Sequence, residues 1–255
     1  MHQTVAREDV RPRWVFLTAR WLDLAIVNYE IDPAALVPLV PRGTELDRWQ
    51  GRPLVSLVGF LFQDTRVLGV PVPCHRNFRE VNLRFYVRRR AREGWRRGVV
   101  FVKEYASRRA VSWVARRLYG ENYTTARMGH AVDPPPLDPA APRSAAYWWR
   151  AAGREHRLQV RAVGPPHHAA ADGLEEFIVE NYWGYSSGLK GGTLEYRVDH
   201  PRWNLWTGEQ ASFDADVAQL YGPRFVDALT SRPASSLMAD GSAVTVYRGR
   251  RLTAE

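Results

Sequence analysis

The chain has 255 residues, 45% of them hydrophobic, with 10 Trp, 11 Tyr and 9 Phe, which excludes a disordered or fibrous chain and is enough to bury a large core. One cysteine, Cys74, excludes an intramolecular disulfide, and no run of about 18 apolar residues offers a membrane-spanning helix. The formal charge is +9, and all but two of the 36 basic residues are arginine, so Lys103 and Lys190 are the only side-chain amines available for chemistry.

No Gly/Ser-rich or low-complexity stretch offers a cut, so one domain is expected over 1–255, with about the first 12 residues a loose, polar tail. The tail has no apolar core ahead of a small-residue cleavage site, which makes the cytoplasm the expected location. In chain order, 22–31 is rich in β-branched and aromatic residues and reads as a strand. Asp32-Pro33 then caps a short helix over 34–40, ended by Pro41 and Gly43. The apolar run 54–62 is a second strand, and the prolines of 70–74 mark an irregular loop.

From 80 to 87 the pattern alternates strictly. Val81, Leu83, Phe85 and Val87 share the core face, and Glu80, Asn82, Arg84 and Tyr86 share a face toward water or a cavity. Its partner run, 99–105, is apolar on both faces until Lys103 and Glu104, and the tip between the two is Glu93-Gly94. Ser107 caps a helix with Val111, Val114, Ala115 and Leu118 on one face and Gly120 as its stop. Further strands are expected at 145–150, 158–163, 193–198 and 243–247, and a short helix at 174–182 with Trp183-Gly184-Tyr185 as its exit. Short strands with few helices imply an α+β fold whose largely antiparallel sheet must close or be covered.

The residues alone leave several chemistries open. Lys103, sharing a face with Phe101 and Tyr105, is either a lysine paired with a carboxylate or a desolvated catalytic amine. Lys190 sits in a Gly-rich turn and is discounted. Glu80 is either a solvated charge or a pocket acid, and Tyr123 is a packing ring or a donor to a carbonyl oxygen. Arg84 and Arg127 are each able to clamp a carboxylate. The histidines show no ligand spacing, so no metal is expected, and no phosphate loop, dinucleotide fingerprint or nucleophile elbow is present. The block Arg88, Arg89, Arg90, Arg92, Arg96 and Arg97 is the one feature suited to nucleic acid, but its place at a hairpin tip marks the charges as solvated.

Four segments carry a resemblance: 28–36 with Val40-Pro41, then Phe78-Arg79-Glu80-Val81, then Arg117-Leu118-Tyr119-Gly120, then Thr125-Ala126-Arg127-Met128. With 177–182 and His200-Pro201-Arg202-Trp203, the chain resembles the YqjF-like family of the acetoacetate decarboxylase-like superfamily. The resemblance implies a cone-shaped, largely antiparallel β-barrel or strongly curved sheet around a pocket, with a few packed helices outside. The decarboxylases form a Schiff base on the first lysine of a Tyr-Pro-Lys-Lys stretch, and that stretch falls on Tyr119 to Arg127, with Tyr123 and Thr124 in place of the pair. Their pocket glutamate corresponds to Glu80, while their substrate-binding arginine has only Arg20 nearby.

The expected activity is therefore binding of a small carboxylate- or carbonyl-bearing metabolite, with acid/base chemistry through Glu80 and Tyr123. Arg127, Arg84, Tyr86 and Arg20 are the candidate binding residues. One alternative is a Schiff-base lyase or decarboxylase with Lys103 as the relocated nucleophile, and another is a basic nucleic-acid-binding module. No cofactor and no membrane partner are expected, and homo-oligomerisation is left open.

Overall fold

The computed structural model describes residues 14–71, 75–108, 122–133, 138, 141–188 and 192–252. The helix expected over 107–120 falls almost wholly outside them, as do the N-terminal tail, Cys74 and Lys190. The first half runs β1 (Val15–Glu30), α1 (Pro33–Leu36), β2 (Glu45–Leu46), β3 (Leu54–Val67), β4 (Val70–Pro71), β5 (Phe78–Ala91), β6 (Gly94–Ala106), β7 (Tyr123–Thr125) and β8 (Arg127–Val132). The second runs β9 (Arg143–Ala151), β10 (Arg154–His167), α2 (Leu174–Val179), β11 (Trp183–Ser187), β12 (Thr193–Asp199), β13 (Leu205–Asp214), α3 (Val217–Tyr221), α4 (Val226–Thr230), β14 (Ser235–Tyr247) and β15 (Arg250–Arg251).

All fifteen strands join one curved sheet. Its main order is β15-β12-β11-β6-β5-β3-β1-β14-β13-β10-β9-β8, and a further β12–β14 pairing returns it on itself, so β12, β11, β6, β5, β3, β1 and β14 form a ring. Pairing is antiparallel except where β6 meets β11 and β7. The free arm, β13-β10-β9-β8, covers part of the ring from outside. Between arm and ring lies one core, in which Val81, Leu83 and Phe85 of β5 pack with Tyr147, Trp149 and Leu158 of the arm and with α3 and α4. A second core fills the ring itself, with Ile26, Val58, Phe60, Phe78 and Val99 closed at one end by Phe177, Ile178 and Val179 of α2. Period-2 alternation thus divides β1, β3, β5, β6 and β14 between two apolar compartments.

Several expected boundaries move for local reasons. The strand expected at 22–31 is the second half of β1, because Asp23 sits at φ 54 in a bulge that breaks the alternation read from sequence. Asp32 does cap α1, accepting from the Ala34 N–H at 2.8 Å, but the helix gives way to a 3₁₀ turn over Val37–Leu39. Val70 and Pro71, expected in a loop, pair with Val67 and Arg66. Trp183-Gly184-Tyr185 is a strand of the ring rather than a helix exit, admitted because Gly98 lets β11 approach: a Cβ there would lie 2.3 Å from the Trp183 carbonyl oxygen. Gly98→Ala is therefore expected to push β11 off β6 and cost about 1–3 kcal/mol, read as a lower urea midpoint. An unchanged midpoint would show that the joint is not tight.

Candidate functional site

The polar face of β5 turns inward, onto a cavity of about 150 Å³ inside the ring. Its walls are mostly apolar and aromatic, from Phe16, Trp21, Phe60, Phe62, Phe101 and Trp203. Against them stands a polar group from three adjacent strands: Glu80, Asn82 and Arg84 on β5, Glu104 on β6 and Tyr123 on β7. Asn82 lies opposite Glu104 in the ladder, and Glu104 lies opposite Tyr123, so the five belong to one continuous patch of sheet.

Glu80 is only 2% exposed. Its Oε1 accepts from Asn82 Nδ2 at 3.0 Å and its Oε2 from the Tyr123 hydroxyl at 2.9 Å. Burial pushes its pKa up to about 7, against the two hydrogen bonds, which favour the charged form. A carboxyl that exchanges its proton near neutrality is suited to general acid or base work. Around it the cavity is short of partners. Trp21 Nε1, Thr65 Oγ1, Asn82 Oδ1 and Arg84 Nε are buried in cavity-lining residues and have no hydrogen-bond partner among the described residues. Two are obligate donors, the Thr65 hydroxyl is able to donate and Asn82 Oδ1 can only accept, so this set matches a ligand that carries acceptor oxygens and at least one donor.

Arg84 is held in place by Nη2, which donates to the Ile178 carbonyl at 3.0 Å at the end of α2. Beside it His200, from the segment after β12, is stacked between Tyr182 and Trp203, with ring centroids 4.8 and 4.4 Å away. Glu104 and His200 both line the cavity and escape sequence reasoning. The ladder register slips between Leu83 and Arg84, so Leu83 faces Lys103 while Arg84 faces Phe101, and Val102 is the extra residue. This bulge resets the alternation of β6 and turns Glu104 inward beside Phe101. His200 did carry a signal, since it opens the His200-Pro201-Arg202-Trp203 segment that bears part of the family resemblance.

The same bulge corrects the face expected for Lys103. Lys103 remains near Tyr105, its ammonium 5.8 Å from the ring centroid, but Phe101 faces the cavity and Lys103 does not line it. The Lys103 ammonium instead donates to Asn122 Oδ1 at 3.0 Å. Arg20 and Arg127 are exposed and do not line the cavity either. Tyr86 is buried behind it, its hydroxyl 2.5 Å from Ser56 Oγ and its ring 4.8 Å from Phe177, so it braces the wall rather than lining it. The structure thus brings Glu80, Tyr123 and Arg84 to one cavity and leaves Lys103, Tyr86, Arg20 and Arg127 outside its lining.

The arginine hairpin is largely neutralised from within. Arg88 pairs with Glu45 at 2.6 Å, Arg97 with Asp47 at 2.8 Å, and Arg89 and Arg96 with Glu195 at 2.6 and 2.8 Å. Among the described residues, no group of three His, Cys, Asp or Glu is placed to hold a metal ion, and no helix is long and apolar enough to cross a membrane.

The model of the family DUF2071, described as an uncharacterized conserved protein, matches residues 18–243. The chain belongs to this family. Among curated proteins it is 28% identical over 205 residues to the uncharacterized protein YqjF of Bacillus subtilis (strain 168), covering 77% of each chain. Among solved structures it is similar to acetoacetate decarboxylase from Legionella pneumophila, with a TM-score of 0.64 and 14% identity over 98% of this chain and 92% of that one. The enduracididine biosynthesis enzyme MppR complexed with pyruvate gives a TM-score of 0.65 and 13% identity over 98% and 93%. An acetoacetate decarboxylase-like enzyme from Sphingomonas wittichii RW1 gives 0.63 and 16%, covering both chains fully. This DUF2071 chain therefore has the acetoacetate decarboxylase-like fold, and its two lysines, Lys103 and Lys190, are not neighbours in sequence.

Proposed function

We propose that this DUF2071 protein binds a small carboxylate- and carbonyl-bearing metabolite in the ring cavity and acts on it by acid/base chemistry through Glu80 and Tyr123, with no imine. The observation that carries this is Glu80: a buried carboxyl with a pKa raised to about 7, hydrogen-bonded to Asn82 and Tyr123, beside an apolar cavity. Its proton polarises a ligand carbonyl oxygen, and Tyr123 steadies the carboxylate left behind. Arg84 supplies the charge for the ligand's carboxylate through Nε–H, its Nη2 being spent on Ile178. A fold relative complexed with pyruvate supports a 2-oxo acid as the first ligand to try.

Three tryptophans, Trp21, Trp183 and Trp203, line the cavity, so quenching of intrinsic fluorescence reports occupancy. Phenylpyruvate and pyruvate are the probes. Arg84→Ala is expected to weaken binding by about 10-fold or more, the worth of one hydrogen bond to a charged group. Borohydride added with either probe is expected to leave Lys103 unlabelled. Equal affinity of wild type and variant, or a reduced adduct on Lys103, would overturn this function.

A further inference from the structure

We propose that His200 is the proton acceptor of this cavity, taking a proton through Nε2 from the carbon next to the ligand's carbonyl group. This rests on the acid/base function given to Glu80 above and supplies the base that function lacks. His200 Nδ1 lies 2.9 Å from the Pro201 carbonyl oxygen, which can only accept, so Nδ1 carries the hydrogen and Nε2 keeps a lone pair. Nε2 has no hydrogen-bond partner among the described residues, and His200 lines the same cavity as Glu80 and Arg84.

The ring is fixed with unusual thoroughness for a surface segment. It lies between Tyr182 and Trp203, and Trp203 is itself held by Nε1–H to Ser242 Oγ at 2.9 Å and through its carbonyl by His168 Nδ1 at 3.0 Å. Tyr182 donates to Glu180, which also faces Arg202 at 3.7 Å. The charged groups around His200 are Glu180 and Asp199, which favour its protonated form, and Arg84, which opposes it. Burial, the largest influence, keeps the imidazole neutral below its ordinary range. Two flanking rings, a tautomer set by a backbone carbonyl and a place in the wall of the cavity that Arg84 also lines make a positioned base.

The step balances within the chain. The C–H bond next to the carbonyl breaks as Nε2–H forms, its electron pair becomes the new C=C bond, and the carbonyl oxygen takes the proton of Glu80. The products are an enol, an imidazolium and a carboxylate, and solvent restores both side chains. Arg84 holds the ligand's carboxylate throughout.

The test is exchange of the C3 hydrogens of phenylpyruvate and 2-oxobutyrate in D2O, followed by proton NMR with the full chain. Wild type is expected to speed exchange above the solvent rate. His200→Asn, which keeps an amide able to donate to Pro201 but has no base, is expected to lose at least about 100-fold while binding the probes within threefold of wild type by fluorescence. His200→Gln should fall equally. Independently of any ligand, 15N shifts of labelled histidine should show Nδ1 protonated and Nε2 bare at pH 7. Binding with no exchange, full exchange in either variant, or a protonated Nε2 at pH 7 would each overturn the role of His200. Failure of wild type to bind either probe would instead overturn the proposed function, and the 15N shifts would still judge the tautomer on which His200 depends.

Discussion

Glu195→Ala is expected to cost about 3–5 kcal/mol of folding stability, the usual result of removing one partner from a buried ion cluster. The Glu195 side chain is fully buried, and its two oxygens serve three guanidinium groups from three strands. Arg89 donates to Oε1 at 2.6 Å, while Arg96 and Arg250 reach Oε2 at 2.8 Å each, and the Tyr185 hydroxyl adds a longer bond of 3.2 Å. Burial alone would raise the Glu195 pKa, but the hydrogen bonds from Arg89 and Arg250 and the charges of Arg89 and Arg96 outweigh it and hold it below the ordinary value. A folded-state pKa below the unfolded one gives stability that is complete above about 4.5 and is lost as pH falls through the lower value. Urea unfolding should therefore show the largest gap between wild type and Glu195→Ala at pH 7 and a shrinking gap below pH 4.5. Glu93 also pairs with Arg96, but its side chain is 57% exposed, so Glu93→Ala should cost under about 1 kcal/mol. If the two variants lost equal stability, the cluster would not be the structural element described here.

Glu80 works in the opposite sense. Its pKa in the folded chain, about 7, lies above the ordinary 4.5, so the folded state holds a proton that the unfolded state gives up. The stability it contributes is present below about 4.5 and is lost as pH rises to about 7, a change of roughly 3 kcal/mol by linkage. Glu80→Gln keeps the shape and both hydrogen-bonding neighbours but cannot ionise. The variant should thus gain roughly 3 kcal/mol relative to wild type between pH 4.5 and pH 8 in the same urea series. Parallel pH profiles for the two chains would mean that Glu80 is ionised at neutral pH and unfit as an acid. The same substitution should leave phenylpyruvate binding flat across pH 6 to 8, where wild-type affinity should fall as Glu80 becomes an anion facing an anionic ligand.

How far the site could be read from sequence depends on where the strands are regular. The face shared by Glu80, Asn82 and Arg84 was legible because β5 alternates without interruption, and Val81, Leu83, Phe85 and Val87 on its other side are completely buried. Tyr86 kept the expected parity, yet it lies beyond the cavity, where Ser56 and Phe177 take its hydroxyl and its ring. Glu104, Trp21 and Thr65 were not legible because each follows or precedes a break in the pattern: the slip at Val102, and the positive φ angles of Asp23 and Asp64. A bulge reverses side-chain parity without any residue type announcing it. Arg20, suggested by the resemblance, and Arg127, suggested by its carboxylate-clamping chemistry, are exposed and outside the cavity lining, since nothing local distinguishes a pocket arginine from the many on the surface. The strands β8, β11 and β13 were missed for a different reason, since Gly129, Gly184 and Gly208 weaken their strand signal. Those same glycines admit Trp148, Tyr196 and Ser236 at distances no side chain would allow.

The ring is joined very unevenly. β5 and β6 share twelve residue pairs, as do β1 and β14, whereas β11 meets β6 at Gly184 and Val99 alone, and β12 meets β14 only at Val198 with Val246 and Asp199 with Thr245. The β11–β12 hairpin is thus a stave held in a hoop by three pairs and the Glu195 clasp, and Gly184, Val198 and Val246 all line the space behind it. Few ladder bonds hold that stave, and its firmest apolar ties are Tyr185, which is buried in the core between arm and ring, and Tyr196 and Val198, which pack on Phe16. The ladder therefore contributes little to closing the ring there, and acid, by protonating Glu195, loosens the clasp while leaving Tyr185 packed in the core.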